Sequence, residues 1–320
     1  MAAFVIRRII QAIFTVFGVM LLTFVLFRLV AGDVSAQYVN PHLGKEARIT
    51  WLERHGLNKP LVINPKTPYQ FWRKEFWDTQ FFHHFVDSIT FRVRSYQTNE
   101  LLTEIILKRG KYSLALTVPI MAIGWILAMV ISSIVAYYRG TWIDHLGVFL
   151  SVLGMCIPYL AYMIIGQWFM FQVAPTSAWG LGHGYNIYVP IMIAVIAGLG
   201  GSVRFYRTII LDETNRDYVR TALAKGVPLT GVMFKHILKN CMLPILTSLV
   251  VSIPFLILGS LLLEQFFGIP GLGDLMLSSI NSRDVPIVSG LTFLLAVLYT
   301  FALLLTDILY AVFDPRIRLR

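Results

Sequence analysis

The chain has 320 residues, 57% of them hydrophobic and only 14% charged, with a net charge of +10 and a mean hydropathy of +0.69. A soluble domain carries about a quarter charged residues, which excludes a soluble enzyme. The basic excess reads as Lys and Arg retained on cytoplasmic loops of a membrane protein, not as a nucleic-acid surface.

The apolar residues gather in runs of about twenty, the length that crosses ~30 Å of hydrocarbon as a helix. The ~10-residue alternation of a β-barrel is absent. An all-α integral membrane protein is expected. Arg7 and Arg8 precede a run from about Ile9 to Val30. Val34-Ser35-Ala36 resembles a signal cleavage site, but the run exceeds the 7–15 residues of a signal h-region, so a retained span is expected, its N-terminus cytoplasmic. Residues 32–112 are polar, mixed in charge and rich in aromatics (Tyr69, Phe71, Trp72, Phe76, Trp77, Phe81, Phe82, Phe85). They read as an outer segment of short helices at the membrane surface. His83-His84 suggests no metal, because adjacent residues point in different directions.

Span two is expected at about Ser113–Tyr138, then a tight turn Arg139-Gly140-Thr141-Trp142-Ile143-Asp144. Span three is expected at Leu146–Val173, kinked at Pro158. An uncharged outer loop with Trp179 and His183 follows. Span four should run from Tyr188 to Phe205, with Gly198, Gly200 and Gly201 allowing close helix approach. The basic island Arg204–Asn240 holds seven basic residues against three acids. Span five is expected at Cys241–Leu263, with Pro244 and Pro254 inside it. The outer loop Glu264–Pro286 is net −2 and includes Gly268-Ile269-Pro270-Gly271-Leu272-Gly273. Span six, Ile287–Val312, carries Asp307, an intramembrane carboxyl suited to an inter-helix hydrogen bond or ion pair. Arg28 should snorkel at the outer end of span one. Cys156 and Cys241 read as packing residues. Six spans place both termini in the cytoplasm, as the charges of the short loops require.

Within the island, Asp217–Gly226 has the punctuation of a short capped helix. Thr214 stands three residues before Asp217, a capping-box-like spacing. Lys225 complements the dipole in the last turn, Gly226 supplies a left-handed terminus, and Pro228 prevents continuation. No G-x-x-x-x-G-K-[ST] loop occurs, and no catalytic or metal-ligating constellation is evident. No cofactor is expected, and the Gly268–Gly273 turn lacks the lysine of a phosphate loop.

The island resembles the cytoplasmic EAA loop of permease subunits of binding-protein-dependent ABC importers. Arg220, Thr221, Ala222 and Gly226 stand at the motif's positions. The stretch Asp217-Tyr218-Val219-Arg220-Thr221-Ala222-Leu223-Ala224-Lys225-Gly226 departs only at Leu223 from DYVRTARAKG, the form found in B-type subunits of dipeptide, oligopeptide and nickel systems. Further matches are Phe27-Arg28-Leu29 with Gly32-Asp33 (Ala31 and Val34 replacing two prolines), Tyr138–Asp144, Ile157-Pro158, Glu264, Phe267, Pro270–Gly273, Arg283-Asp284 with Pro286, Asp307, and Asp314-Pro315-Arg316-Ile317-Arg318. Pro244 also stands where the B-type loop has it.

The resemblance implies a type I importer permease fold with six transmembrane helices. The divisions would be an N-terminal helix at 1–31, an outer segment at 32–112, and a five-helix core at 113–320 with its coupling loop at about 207–240. It implies a coupling helix formed by Asp217, Tyr218, Arg220, Thr221, Ala222, Lys225 and Gly226, docked on a cytoplasmic ATPase. It also implies an outer gate or binding-protein contact involving Glu264, Pro270, Gly271, Gly273, Arg283 and Asp284. Pro158, Pro254 and Asp307 would serve structure within the membrane. The implied partners are a second six-helix permease of the C-type, two ABC ATPases, an extracytoplasmic solute-binding protein and the inner membrane of a prokaryote. The implied cargo is peptides, with nickel or another small solute as the alternative. An ion-coupled carrier would need intramembrane ionisable groups and repeated halves, and an intramembrane enzyme would need reactive polar residues inside the spans.

Overall fold

The computed structural model describes residues 2–27, 35–39, 44–64, 74–173, 187–258 and 260–313. Arg28, Ala31 to Val34, Tyr69, Phe71, Trp72, Trp179, His183 and Asp314–Arg318 lie outside the described residues. The described chain is helical, with one isolated antiparallel bridge, Arg94 to Leu101. The helices are α1 (Ala2–Val25), α2 (Ser35–Tyr38), α3 (Gly44–Arg54), α4 (Lys74–Trp77), α5 (Gln80–Ile89), α6 (Leu102–Tyr137), α7 (Trp142–Cys156), α8 (Tyr159–Val173), α9 (Tyr188–Thr214), α10 (Asp217–Ala224), α11 (Leu229–Val232), a π-helical segment (Met233–Ile237), α12 (Leu238–Leu258), α13 (Leu261–Phe266), α14 (Leu272–Asn281) and α15 (Val285–Phe313).

Among the described residues, five stretches are long and apolar enough to cross a membrane: Ile6–Val25, Leu102–Tyr137, Tyr188–Thr214, Leu229–Pro254 and Val285–Ile308. The expected third span is not one kinked helix. Trp142–Cys156 and Tyr159–Val173 meet at 97°. Proline has no N–H to donate and disfavours helical geometry in the residue before it. Ile157, just before Pro158, is extended, with φ −81° and ψ 121°. Taking the bent pair as one crossing gives six.

Other boundaries differ from the hydropathy reading. Helix α6 starts at Leu102, not near Ser113, because Leu102 and Ile105, three apart, already carry a buried face. Helix α9 continues beyond Phe205 to Thr214 through the fully buried Ile210. The next long helix starts at Leu229, not Cys241, and the expected end of span five is a separate short helix, α13. The island thus shrinks to residues 215–228 between two membrane helices.

The chain divides into two compact units, Arg109–Asp274 with Ala302–Arg320, and Ala2–Lys108 with Leu275–Phe301. In the first, α9 packs on α7, α8, α12 and the π-helical segment. One apolar core joins Val203, Tyr206 and Ile210 of α9 to Val219 and Ala222 of α10 and to Val232, Met233, Ile237, Cys241 and Ile245. A second core gathers Leu116, Met163, Ile191, Val195, Leu263, Phe267 and Ile269. Of the three glycines expected at a close approach, only Gly200 makes one. A Cβ there would lie 2.6 Å from the Ser151 carbonyl oxygen of α7, whereas Gly198 and Gly201 face open space.

In the second unit, two of the aromatics expected at the membrane surface pack on α1. Phe81 and Phe85 of α5 meet Phe17 of α1, and Phe81 also meets Phe24. Thr79 caps α5 by accepting the Phe82 N–H. Tyr38 stacks on Trp51 with ring planes 7° apart, and Tyr96 sits edge-on to both. The two histidines diverge as expected: His83 bonds Asp78 at 2.8 Å and His84 lies beside Phe24.

Gly200→Val forces α7 and α9 apart at a backbone contact. The expected cost is about 1–3 kcal/mol, seen as a lower thermal midpoint of the detergent-solubilised protein. Gly198→Ala, facing open space, is expected to leave that midpoint unchanged.

Candidate coupling helix and associated sites

Helix α10 follows α9 after Asn215 and Arg216. The expected Thr214 cap does not form. Thr214 is the last residue of α9, and its hydroxyl donates to the Leu211 carbonyl at 2.6 Å. Arg216 holds the cap position without a side-chain bond, and Asp217 supplies a negative charge in the first turn of α10, where the dipole favours it. The C-terminal end forms as expected. Gly226 has φ +80°. Its N–H donates to the Leu223 carbonyl, and the Val227 N–H donates to that of Ala222, a Schellman closure. Lys225 is the C-cap residue.

The helix has two faces. Val219 and Ala222 are buried at 4% and 8% exposure in the core shared with the ends of α9 and α12. Ala222 therefore packs inward and is no part of the exposed face, which corrects the expected docking set. Tyr218 is half-buried, and its hydroxyl donates to Glu213 at 2.7 Å. Burial and the Glu213 carboxylate push that phenol up to about 12. Asp217, Arg220, Thr221, Leu223, Ala224, Lys225 and Gly226 are exposed. The Arg220–Asp217 pair is long (4.0 Å) and solvated, so it adds little. Immediately beyond lies the π-helical segment, with Met233 and Ile237 buried and Phe234 exposed.

An ion pair that the sequence did not reveal lies nearby. Asp144 Oδ1 accepts Arg207 Nε at 2.8 Å and lies 2.7 Å from Nη2. Its Oδ2 accepts the Gly140 N–H at 2.9 Å. The turn 139–144 was legible, but its partner 63 residues away was not. Helices α6, α9 and α12 also enclose a cavity of about 460 Å³, lined among others by Met121, Trp125, Gly198, Gly201, Ser202, Tyr206, Ser248 and Ser252. The Ser248 and Ser252 hydroxyls donate to carbonyls of their own helix.

Glu264 is fully buried in the same unit. Its Oε2 accepts the Asp274 N–H at 3.0 Å, and its carboxylate is also bonded by the Gly273 N–H and the Ser113 hydroxyl. Ser113 Oγ accepts the Leu272 N–H at 2.7 Å. Glu264 and Ser113 therefore hold the first N–H groups of α14, which have no partner within the helix. Gly271 and Gly273 are required there: a Cβ on Gly271 would collide with Glu264 Oε2, and one on Gly273 would lie 2.9 Å from it. The Gly271 N–H donates to the Ile269 carbonyl across Pro270. Arg109 pairs with Asp274 at 3.1 Å. Burial pushes the Glu264 carboxyl above the usual carboxylate range, while its donors pull the other way. With no exposed surface, the Glu264 carboxyl positions the turn from within.

Arg283 and Asp284 lie in the other unit. Arg283 is exposed, with φ 53°. Asp284 is buried and accepts the Ser95 hydroxyl and the Tyr96 N–H. Pro158 forms the break between α7 and α8, Pro254 is buried within α12, and Asp307 is half-buried in α15. Among the described residues no cluster of His, Cys, Asp and Glu could hold a metal ion.

Because the folded pKa of Glu264 is raised, the folded state binds more protons than the unfolded chain between the two pKa values. The contribution is complete below the unfolded value and is lost as pH rises through the folded one. Glu264→Gln, which mimics the neutral acid, should flatten the stability–pH curve from pH ~4 upward. Glu264→Ala leaves buried N–H groups unpaired and should cost about 2–4 kcal/mol. Thermal unfolding across pH measures both.

Residues 128–319 match the family model described as "Binding-protein-dependent transport system inner membrane component". The chain is 31% identical to the oligopeptide transport system permease protein AppB of Bacillus subtilis, with 99% of each chain covered. It is 30% identical to the glutathione transport system permease protein GsiC of Salmonella paratyphi A and 28% to a putative peptide transport system permease protein of Brucella abortus, again over 99% of each. With its apolar helices, this makes it a multi-pass inner-membrane protein of a prokaryote whose ATP hydrolysis lies in partner subunits. The chain belongs to the inner-membrane components of binding-protein-dependent transport systems, as a permease subunit of an ABC importer.

Proposed function

We propose that this permease imports short peptides and that α10 is its coupling helix, docked on an ATPase by its exposed face. The relatives named for oligopeptide, glutathione and peptide transport support the cargo. The observation that carries the coupling role is the split of α10 into a buried face fused to α9 and α12 and an exposed face of Arg220, Thr221, Leu223 and Lys225. A force on the exposed face passes through this shared core to two membrane helices, the packed element that a two-state inward–outward transition needs.

Basic residues around α10, with the bent pair counted as one crossing, support a cytoplasmic place for both termini and α10. Residues 32–112 then lie outside, on the side of the solute-binding protein. Six crossings make half a pore, completed by a second six-helix permease of the C-type and energised by two ATPases. The cavity between α6, α9 and α12 is this subunit's wall of the pathway. Its hydroxyls accept hydrogen bonds from peptide N–H groups, and no charged side chain lines it to trap a terminus.

Arg220→Glu with Leu223→Asp is expected to release the ATPase on co-purification and to abolish ATP-driven uptake, with normal membrane insertion. Retained uptake would refute the coupling role. Gly201→Trp fills open space and is expected to cut peptide uptake in proteoliposomes to below about a tenth while ATP hydrolysis continues. Unchanged uptake of a labelled tripeptide would remove this cavity from the pathway.

A further inference from the structure

The unit formed by Ala2–Lys108 and Leu275–Phe301 forms an open cleft of about 740 Å³, with Glu53, Arg54 and Arg92 exposed along it, that the coupling mechanism does not use. It falls within the ~300–1,000 Å³ of small-molecule sites. One wall is apolar, from Phe24 and Phe27 near the end of α1 and Pro286 in α15. The rest carries charges of both signs. Some of these are committed inside the protein: Lys59 and His83 both bond Asp78, at 2.6 and 2.8 Å, and Arg94 donates to the Asn99 carbonyl. Arg54, Arg92, Glu53 and Asp87 also line the cavity and form no salt bridge among the described residues.

Two of these charges are held by an unusual piece of backbone. Asp87 lies in the last turn of α5, and Arg92 follows its end. The Arg92 N–H donates to the Asp87 carbonyl at 2.9 Å. This closure requires Phe91 at φ 53°, a left-handed conformation that a bulky side chain adopts at a cost. Phe91 packs against Phe293, with centroids 5.8 Å apart. The strained turn brings a carboxylate and a guanidinium to one cavity. Asp87 is half-buried, and burial pushes its carboxyl above the usual range against the opposing pull of His83 and Arg92. An ammonium group delivered by a ligand would relieve that.

We propose that this cavity is a binding site of the permease itself for a short peptide in its zwitterionic form. Arg92 and Arg54 take the terminal carboxylate, Asp87 and Glu53 take the terminal ammonium, and Phe27 and Pro286, above the buried Phe24, receive the side chains. The inference rests on the outward placement of residues 32–112 and on the peptide cargo argued above. The site would hold peptide released by the solute-binding protein on the outer face, before the membrane helices. A solvated zwitterion gives up much hydration on entry, so binding is weak, in the high-micromolar to millimolar range.

The test uses the assembled permease–ATPase complex, purified without binding protein and titrated calorimetrically with Ala-Phe, N-acetyl-Ala-Phe and Ala-Phe-amide. Ala-Phe should bind, and blocking either end should weaken it about tenfold. Arg92→Gln should weaken Ala-Phe about tenfold and leave the amide unchanged. Asp87→Asn should weaken Ala-Phe likewise and leave the N-acetyl peptide unchanged. That crossed pattern is not what general disruption of the fold produces. No binding of Ala-Phe, indifference to end-blocking, or indifference to both variants overturns the inference. So does a result in which the variants lose capture by immobilised binding protein but not Ala-Phe affinity, since the cavity would then be a protein contact. Peptide uptake by the complete wild-type system separates the two readings. Uptake without binding here sinks the cavity alone, and absence of uptake sinks the peptide cargo.

Discussion

The inward face of α10 is the contact on which the proposed coupling depends. Val219 and Ala222 lie in one apolar core with Ile210 from the end of α9 and with Val232, Met233, Ile237 and Cys241 from the start of the next membrane helix. A free helix of eight residues is too short to persist in water. This one is held by tertiary burial and by a closed end at Gly226. Its outer face can therefore consist of residues that contribute little to its own stability, and these are free to serve a partner.

A second set of contacts fixes the turn before α14. The Glu264 carboxyl, the Ser113 hydroxyl and two glycines fit so closely that neither glycine has room for a Cβ. Such a site orders the chain from inside the fold. The Asp144–Arg207 pair does the same between the 139–144 turn and α9, with both side chains mostly shielded from water. Removing one member of such a pair costs far more than an exposed ion pair contributes.

Much of the architecture was legible in the sequence, because hydropathy and helix-ending chemistry are local. The apolar runs located the membrane helices, and Gly226 and Pro228 marked the end of α10. The misses share a cause: they depend on what lies across the fold. Thr214 had the spacing of a cap, but α9 continued through it, since Ile210 found a buried place in the core. Ala222 sat in the coupling motif, yet its orientation depended on the core beneath it. Pro158 announced a bend, but only the structure gave 97°. The roles of Ser113, and of Arg207 with Asp144, could not be read, because each acts on residues more than sixty positions away. Glu264 was singled out by family resemblance as part of an outer gate or binding-protein contact, and its bonds to the first N–H groups of α14 show what a carboxyl does next to two glycines.

The π-helical segment at Met233–Ile237 sets a rotational phase. Each residue of an α-helix advances about 100° around its axis, and a π turn accommodates one residue more than an α turn. The segment lies within the core under α10, to which its Met233 and Ile237 belong, and leads into the stretch of α12 that presents Ser248 and Ser252. Both parts of this helix must face correctly at once, the near part toward Val219 and Ala222, the far part toward the α6–α9 cavity. A regular helix would carry a one-residue phase error from one to the other. The extra residue absorbs that offset, so that a single membrane helix serves two surfaces whose sequence spacings do not match. It is also a place where a small twist can be taken up or released as the two surfaces move.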